Sequence, residues 1–519
     1  MERIPLVVVG AGAAGTAAAI EAAEAGVQVT LIDENPIDMY MMARDAPQFF
    51  GQRLMPTLRN KALMLERVVS SNEGMARAQD AGVDVRLGTY VWGAFRNIET
   101  SRLIDSSQLG LADEERSWVI GYDCLIAASG SRDLGMSFPG WNMAGAMGAN
   151  GAHSLMTRYQ ALTSRRMVVL GSGDLGLNTA KMAIDRGVHV VAVVDVAASV
   201  HGSDVLKKEL KSKGVDFYAS HVIKEAKGST DEIESSVLVE IAGENRPHAG
   251  PEKGLACDTV CLAIGLVPNV ELPDLLDCEM VFDSKLGGFV PKVDDWMRTS
   301  VDTVFVAGDA AGWHDGMIGR PEIALHQGRL AGLGAALSLG SIDSGTAHVR
   351  RAELQATWPS VSTSDAYSGW NRWLSALVNT GGLDVFACQC EEVTRRELID
   401  VRPPRYLAWD SEQMSSRSLE TLLQDGPVNP DQIKRLTRVA MGHCQGRRCR
   451  EQVSMLLAQH TNTDIADVPI MSHRPPVRPL PLRIMWAHEE PREMRDDWVI
   501  WFKTLEEYQR QAAGQQQVE

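Results

Sequence analysis

The chain has 519 residues, 45% hydrophobic and 23% charged, which suits a water-soluble protein of three or four domains with large cores. A net charge of -16 and a pI near 5.3 argue against a nucleic-acid partner, since phosphate binding needs a basic surface. Eight cysteines at this length make no disulfide scaffold, and no charge-free apolar run reaches the roughly 18 residues of a membrane span.

An apolar strand begins almost at once, at residues 4–9, with no secretory pattern before it, so a reducing cytoplasm is the expected compartment. The strand runs into Gly10-x-Gly12-x-x-Gly15, an Ala-rich helix, and a second strand ending at Asp33. This is the dinucleotide fingerprint in its required context. Gly10 permits the tight turn, Gly12 lets a pyrophosphate approach the backbone, and Gly15 lets helix and strand pack closely. Ala13 and Ala14 open the helix, whose free N–H groups and dipole attract phosphate. Asp33, with Glu34 as the fallback, is placed to accept from a ribose hydroxyl.

The stretch 35–53 carries three Met and two Phe, suited to an apolar pocket, an intersubunit contact or ordinary packing. It contains no cysteine, and the first in the chain is Cys124. A disulfide reductase with its redox pair beside the flavin is therefore excluded. Residues 122–130 and 299–312 each read as a strand ending in a small-residue turn, the second closing on Gly308 and Asp309. That second pattern resembles the late motif of two-dinucleotide flavoproteins. The resemblance implies FAD at the first fingerprint, with Asp309 at the ribityl chain. Asp309 as a helix N-cap is a compatible reading.

Residues 167–195 repeat the early pattern, with Gly171, Gly173 and Gly176 as a second fingerprint and Asp195 ending its second strand. A carboxylate there disfavours NADP. Residues 257–269 read as the closing strand of this unit, with Cys257 and Cys261 on it and Cys278 beyond, all read as buried packing. One nucleotide domain nested in another is the glutathione-reductase-like layout. His314, in a Gly-rich loop after the flavin motif, is open to a catalytic role, while His326 on a helix reads as structural. Residues 345–385 read as a helical, Trp-bearing connector that packs the cysteine module onto the flavin domain.

Cys388 and Cys390 form a C-x-C, and Cys444 and Cys449 a C-x4-C. Four thiolates are the usual ligands of a [2Fe–2S] centre. Structural zinc also takes four thiolates, though usually at C-x2-4-C spacing, and four plain buried thiols are the bland alternative. Residues 451–460 read as a short helix, 474–483 as an extended proline-rich arm, and 492–510 as a helix with Trp498, Trp501, Phe502, Leu505 and Tyr508 on one face. That face would meet a protein partner or dock back on its own chain.

The run CQCEEVTRREL followed by IKRLTRVAMGHCQGRRC is similar to the module of bacterioferritin-associated ferredoxin. That module closes the larger subunit of bacterial heteromeric flavin-dependent amine and opine dehydrogenases, a family that includes opine oxidase, hydrogen cyanide synthase and hydroxyproline dehydrogenase. One departure is a longer connector between Cys390 and Cys444, with residues 402–418 as the insertion.

The resemblance implies an α/β fold of two nested Rossmann-like domains plus a small C-terminal ferredoxin-like module. The flavin domain would span 1–155 and 270–345, the second nucleotide domain 156–269, the connector 346–385, the module 386–462, and the arm with its terminal helix 463–519. It implies FAD, a [2Fe–2S] cluster on all four cysteines, and NAD, ATP or nothing at the second fingerprint. FMN between subunits also occurs in such assemblies. Its partners would be a smaller FAD-containing subunit that oxidises a secondary amine, opine or N-substituted amino acid, and in some assemblies a further small subunit. Such a complex would be cytoplasmic or peripheral at the inner face of the membrane. The proline-rich arm would lie along a neighbour. The absence of a base or nucleophile constellation favours an electron-transfer role. Two other readings compete: a self-contained NADH-dependent ferredoxin reductase, and a non-catalytic Fe–S sensor or scaffold.

Overall fold

The computed structural model describes residues 1–37, 56–98, 102, 104–229, 232–242, 246, 247, 250–359, 365–407 and 411–485. Most of the Met-rich stretch 35–53, and the helix expected at 492–510, lie outside these residues. The architecture is mixed α/β with two Rossmann-like units, as the sequence implies.

The first sheet is built on β1 (Arg3–Val9), followed by α1 (Ala13–Glu24) and β2 (Val29–Ile32). It continues through β3 (Asp84–Arg86), β4 (Tyr90–Phe95), β5 (Gln108–Ala112) and β6 (Ser117–Ala127). Its order is β3-β2-β1-β6-β5-β4. The continuous apolar run of β1 is what a parallel strand covered on both faces requires. On the side of β6 away from β1, its first half pairs antiparallel with β5 and its last residues pair parallel with the strand Val304–Val306.

The register fixes the site. Val9 lies opposite both Ile32 and Ala127, and Ala127 opposite Val306. The residues that leave these strands, Gly10, Asp33, Ala128 and Ala307, therefore emerge side by side at the carboxyl edge, where open α/β sheets bind ligands.

The second sheet repeats this plan with parallel strands Asp216–Tyr218, His189–Val194, Arg166–Leu170, Thr259–Leu262 and Ala146–Gly148, in that spatial order. Its edge strand Ala146–Gly148 places the chain in this layer ahead of the expected boundary at 156. Three residues of small and apolar character carry no strand signal of their own.

The connector is helical at Ser344–Ala356 and Ala366–Gly381. Trp370, Trp373, Leu374 and Leu377 of the second helix share a core with Val222 and Ile223 of the second unit and with Cys388 and Val453 of the cysteine module. The same core holds Met136 and Phe138, within the bounds expected for the flavin domain, so the connector packs the module against both nucleotide units. Trp358 stays 40% exposed.

The proline-rich arm lies along its own chain. Val477 N donates to Trp92 O of β4 at 2.8 Å, and the buried His473 Nδ1 stands 2.7 Å from Asp274 Oδ2. Among the described residues no helix is long and apolar enough to cross a membrane.

Candidate functional site

A cleft opens at the carboxyl edge of the first sheet, lined by Gly10, Gly12, Asp33, Glu34 and Asp309 among others. The three fingerprint glycines do separate work. Gly10 has φ +103°, and a methyl group on it would stand 2.2 Å from Ala128 O. A methyl on Gly15 would stand 1.7 Å from Gly10 O, so only hydrogen lets α1 approach the strand. Gly12 meets nothing within 4 Å and faces the open cleft. It is also the N-cap of α1, and no side chain caps that end, which leaves its donors to a ligand.

Asp33 braces the loop as well as lining the cleft. Its Oδ2 accepts from Ala11 N at 2.6 Å, and its Oδ1 from Asn35 N at 2.8 Å and Asn35 Nδ2 at 2.7 Å. Glu34 is paired with Arg478, which the proline-rich arm carries into the mouth of the cleft. Gly308 has φ +71° and packs over Ala14 of α1, while Asp309 Oδ2 accepts from Ser131 Oγ at 2.7 Å. The low-dielectric walls raise the Asp309 carboxyl above its ordinary range. Ser131, Arg132 and Arg478 carry no motif that sequence reasoning could single out.

The four cysteines meet beside this cleft. Cys388 ends the strand Phe386–Cys388, which turns back into Val393–Thr394, and Cys390 lies in the turn. Cys444 and Cys449 flank a loop in which Gln445 and Gly446 both take positive φ. A methyl on Gly442 would stand 2.4 Å from Cys390 Cβ, so this glycine lets the two cysteine loops close on each other. The sulfurs associate crosswise, Cys388 with Cys449 and Cys390 with Cys444. In each pair one thiol is pulled down by its partner's hydrogen bond and the other pushed up. Cys388 is lowered while Cys449 is raised, and Cys444 is lowered to about 6 while Cys390 is raised. Backbone N–H groups of Gly446 and Arg448 also face the Cys444 sulfur, and those of Ala440 and Glu391 face Cys388. Among the described residues no three His, Cys, Asp or Glu side chains are placed to share a single metal ion.

One loop joins the two features. Arg447, between Cys444 and Cys449, lines the cleft. Its carbonyl accepts from the buried Arg132 Nε at 3.0 Å, and Arg132 also pairs with Glu451 and, at 3.5 Å, with Glu271. A methyl on Gly135 would stand 2.1 Å from Arg448 O, so the cysteine loop is pressed onto the segment after β6. Arg448 stacks over Trp141 at 4.4 Å.

The second fingerprint reproduces the first in its backbone. Gly171 has φ +110° with Ala263 O 2.3 Å from a built methyl, and Gly176 stands equally close against Gly171 O at 2.0 Å. Asp195 Oδ2 accepts from Ser172 N at 2.8 Å and Ser172 Oγ at 2.7 Å, and Oδ1 from Ala197 N at 2.9 Å. These are the counterparts of the Asp33 bonds.

His326 is structural: Nδ1 stands 2.8 Å from Glu322 O and Nε2 3.1 Å from Thr357 Oγ1. His314 is buried, its Nδ1 has no partner among the described residues, and burial lowers its pKa. Cys124, Cys257, Cys261 and Cys278 are all buried, and burial raises each thiol. They are inert packing groups.

Asp133 follows Arg132 and heads the helix Ala149–Met156, accepting from Asn150 N at 2.7 Å and Gly151 N at 3.0 Å. Burial outweighs these bonds and pushes its carboxyl up to about 7. A folded pKa above the unfolded one means that this group's contribution is full below about 4 and is lost as pH rises through the folded value. Asp133→Asn keeps an acceptor at the helix end and is expected to flatten that part of the stability profile. Urea midpoints of both proteins between acidic and neutral pH check this, and parallel profiles would mean that Asp133 titrates alike in the folded and unfolded chain.

A glycine-loop cleft at a switch point, an aspartate at its far end and a nested second copy define a two-dinucleotide flavoprotein. The chain belongs to the pyridine nucleotide-disulphide oxidoreductase family, whose model matches residues 4–329, and it is an FAD-binding oxidoreductase. A sarcosine oxidase A3 domain model matches residues 411–489, which take in Cys444 and Cys449 but not Cys388 or Cys390. The chain is 26% identical over 502 residues to the A subunit of opine oxidase from Rhizobium meliloti, covering 93% of this chain and 87% of that one. It is 26% identical over 501 residues to hydrogen cyanide synthase subunit HcnB of Pseudomonas protegens, covering 92% and 96%. These are the relatives that the cysteine motif implies. L-proline dehydrogenase from P. horikoshii shares the fold, with a TM-score of 0.60 at 18% identity over 94% of this chain and 80% of that one.

Proposed function

We propose that this chain is the electron-transfer subunit of a heteromeric amine-oxidising complex, holding FAD in the first cleft and a [2Fe–2S] cluster on Cys388, Cys390, Cys444 and Cys449. The observation that carries this reading is the shared loop. Arg447 lines the dinucleotide cleft while the residues at either end of its loop, Cys444 and Cys449, supply half of the thiol set. An electron leaving the cleft has one short loop to cross.

The residues fit both groups. In the cleft, Gly12 leaves room for a pyrophosphate at the uncapped end of α1, Asp33 and Glu34 stand at the ribose end, and Gly308 and Asp309 close the other. At the thiols, two sulfurs approach in each of two pairs, as a two-iron centre requires, and backbone N–H groups face the sulfurs to offset negative charge. FAD accepts two electrons together and passes them on singly, and the cluster carries one at a time. The chain's own part is to hold these groups close, exclude water and tune their potentials. The module around the cysteines is read as ferredoxin-like, and the second fingerprint as a further adenine-nucleotide fold.

The relatives carry the names of subunits, which supports a partner subunit for this chain. A smaller flavin-bearing subunit would oxidise a CH–NH bond of a secondary amine, opine or N-substituted amino acid. The substrate loses two electrons and two protons to become an imine, water hydrolyses the imine, and the electrons enter this chain. FMN at the interface between subunits fits the same scheme. No base constellation for amine oxidation is seen among the described residues of the cleft, which agrees with a relay.

The test compares the full chain alone with the chain co-purified with its partner, using sarcosine, proline and an opine as probes. The flavin of the isolated chain should not bleach with any of them, and that of the complex should. Full turnover by the isolated chain would sink the relay assignment.

The arm adds a smaller prediction. Arg478 reaches Glu34 at the ribose end with side chains 16% and 26% exposed, so the pair is partly shielded from water. Arg478→Ala is expected to weaken flavin binding about fivefold to tenfold, roughly 1 kcal/mol for a partly shielded pair. Flavin fluorescence on dilution measures it, and an unchanged release rate would leave the arm without a role in the cleft.

A further inference from the structure

The second fingerprint repeats the backbone of the first but not its opening. Gly12 has no atom within 4 Å of a built methyl, whereas at Gly173, its counterpart, Asp315 Oδ2 stands 3.4 Å away. Asp315 comes from the segment just after the flavin motif, reaching across from the other unit. Where the first fingerprint has Ala13 at the start of its helix, the second has Asp174, the first residue of the helix Asp174–Asp185. Two carboxylates therefore stand where a pyrophosphate would approach.

A strap covers the same place. His201 N donates to Ser172 Oγ at 2.9 Å, and Ser203 N donates to Asp174 Oδ1 at 2.8 Å. A methyl on Gly202 would stand 2.8 Å from Leu177 Cδ1 and 3.0 Å from Ser172 O, so the strap is seated on the glycine loop itself. Asp195, which would hold a ribose, is buried at 4% exposure, whereas its counterpart Asp33 lines the open cleft.

We propose that the second fingerprint is a closed nucleotide site: the Asp315 carboxylate takes the anion position at the N-terminus of the helix, and with Asp174 and the 200–203 strap it excludes NADH, NADPH and ADP. A helix N-terminus favours any anion. Here the protein sets a carboxylate of its own flavin unit beside Gly173, the residue at the start of that helix. An incoming pyrophosphate would have to displace one carboxylate and lie against another. Burial and the Asp174 charge both raise the Asp315 carboxyl, as expected of two acids crowded together. Electrons then enter this chain from a protein partner and not by hydride transfer from a pyridine nucleotide.

The test uses the full-length, flavin-loaded protein, so that the first cleft is filled. Calorimetry with ADP and with NADH should give no binding, and anaerobic addition of millimolar NADH should leave the flavin absorbance unbleached. Asp174→Ala with Asp315→Ala should raise ADP affinity at least tenfold. Asp315→Asn, which keeps the shape and removes the charge, should give a smaller gain and serves if the double variant does not fold. Micromolar ADP binding or rapid bleaching in the unaltered protein overturns the closure. A folded double variant that gains nothing overturns the assignment of the block to these carboxylates. Neither measurement needs an amine or a partner, so failure here is separable from failure of the relay assignment.

Discussion

Gly12→Ala is expected to abolish flavin retention while leaving the fold intact, and Gly15→Ala to destroy both. The two residues are three apart in one motif, yet their surroundings are opposite. A methyl on Gly12 meets no protein atom within 4 Å, so the unliganded chain has no reason to notice it. The methyl does occupy the space through which a pyrophosphate reaches the N–H groups of α1. A methyl on Gly15 would sit 1.7 Å from Gly10 O and 3.3 Å from Ala128 Cβ, inside the backbone of the adjoining turn. Neither neighbour is a side-chain end that can swing away, so α1 must lift from the sheet, and overpacking of this kind costs about 3 kcal/mol or more. The measurement is flavin per chain after gel filtration, set beside the thermal midpoint of the flavin-free protein. Stoichiometric flavin in Gly12→Ala would remove the first cleft as the FAD site.

The contrast also shows what the sequence could and could not display. Both fingerprints, their acids and the four cysteines were legible, because the chemistry demands fixed residue types at short spacing inside apolar strand patterns. The parts contributed from far away in the chain were not. Arg478 meets Glu34 from the opposite end of the chain, and Arg132 meets Arg447 and Glu451 across more than half its length. No local period marks such residues. Asp33 illustrates a different limit. Its type and position suggest a free ribose acceptor, but its carboxylate first has to satisfy Ala11 N and Asn35 N, which the spacing alone does not reveal. The two fingerprints looked equivalent for the same reason. Only the fold brings Asp315 onto Gly173 and leaves Gly12 bare. The arm shows the limit in the other direction: proline content marks an extended segment, but not which surface it follows.

The second large effect is expected at the thiols, and the crosswise pairing makes it specific. Replacing any one of Cys388, Cys390, Cys444 or Cys449 by serine should remove iron and acid-labile sulfide together, because one iron of the cluster would lose one of its two protein ligands. Electron transfer from the partner to an external acceptor should fall by more than tenfold, the range seen when metal-site partners are disturbed. The folded chain should survive in part, since Cys388, Cys444 and Cys449 are 1% exposed and Cys388 and Cys449 belong to a core shared with the connector, but the module should loosen as its metal is lost. Two further measurements separate the readings. Metal analysis of the unaltered protein should give iron and sulfide, whereas zinc without sulfide would make the module structural and move the electron route elsewhere. Mild oxidation of metal-free protein followed by peptide mapping should link Cys388 to Cys449 and Cys390 to Cys444, since Gly442 lets the two cysteine loops close on each other and these are the thiols that shift one another most. A Cys388–Cys390 link instead would mean that the two loops do not face each other, and the cluster would lose its geometric basis whatever the metal content. The mapping is informative because it reads the loops and not the metal. It asks whether the fold alone, before any iron arrives, has already brought one sulfur from each motif to meet one from the other.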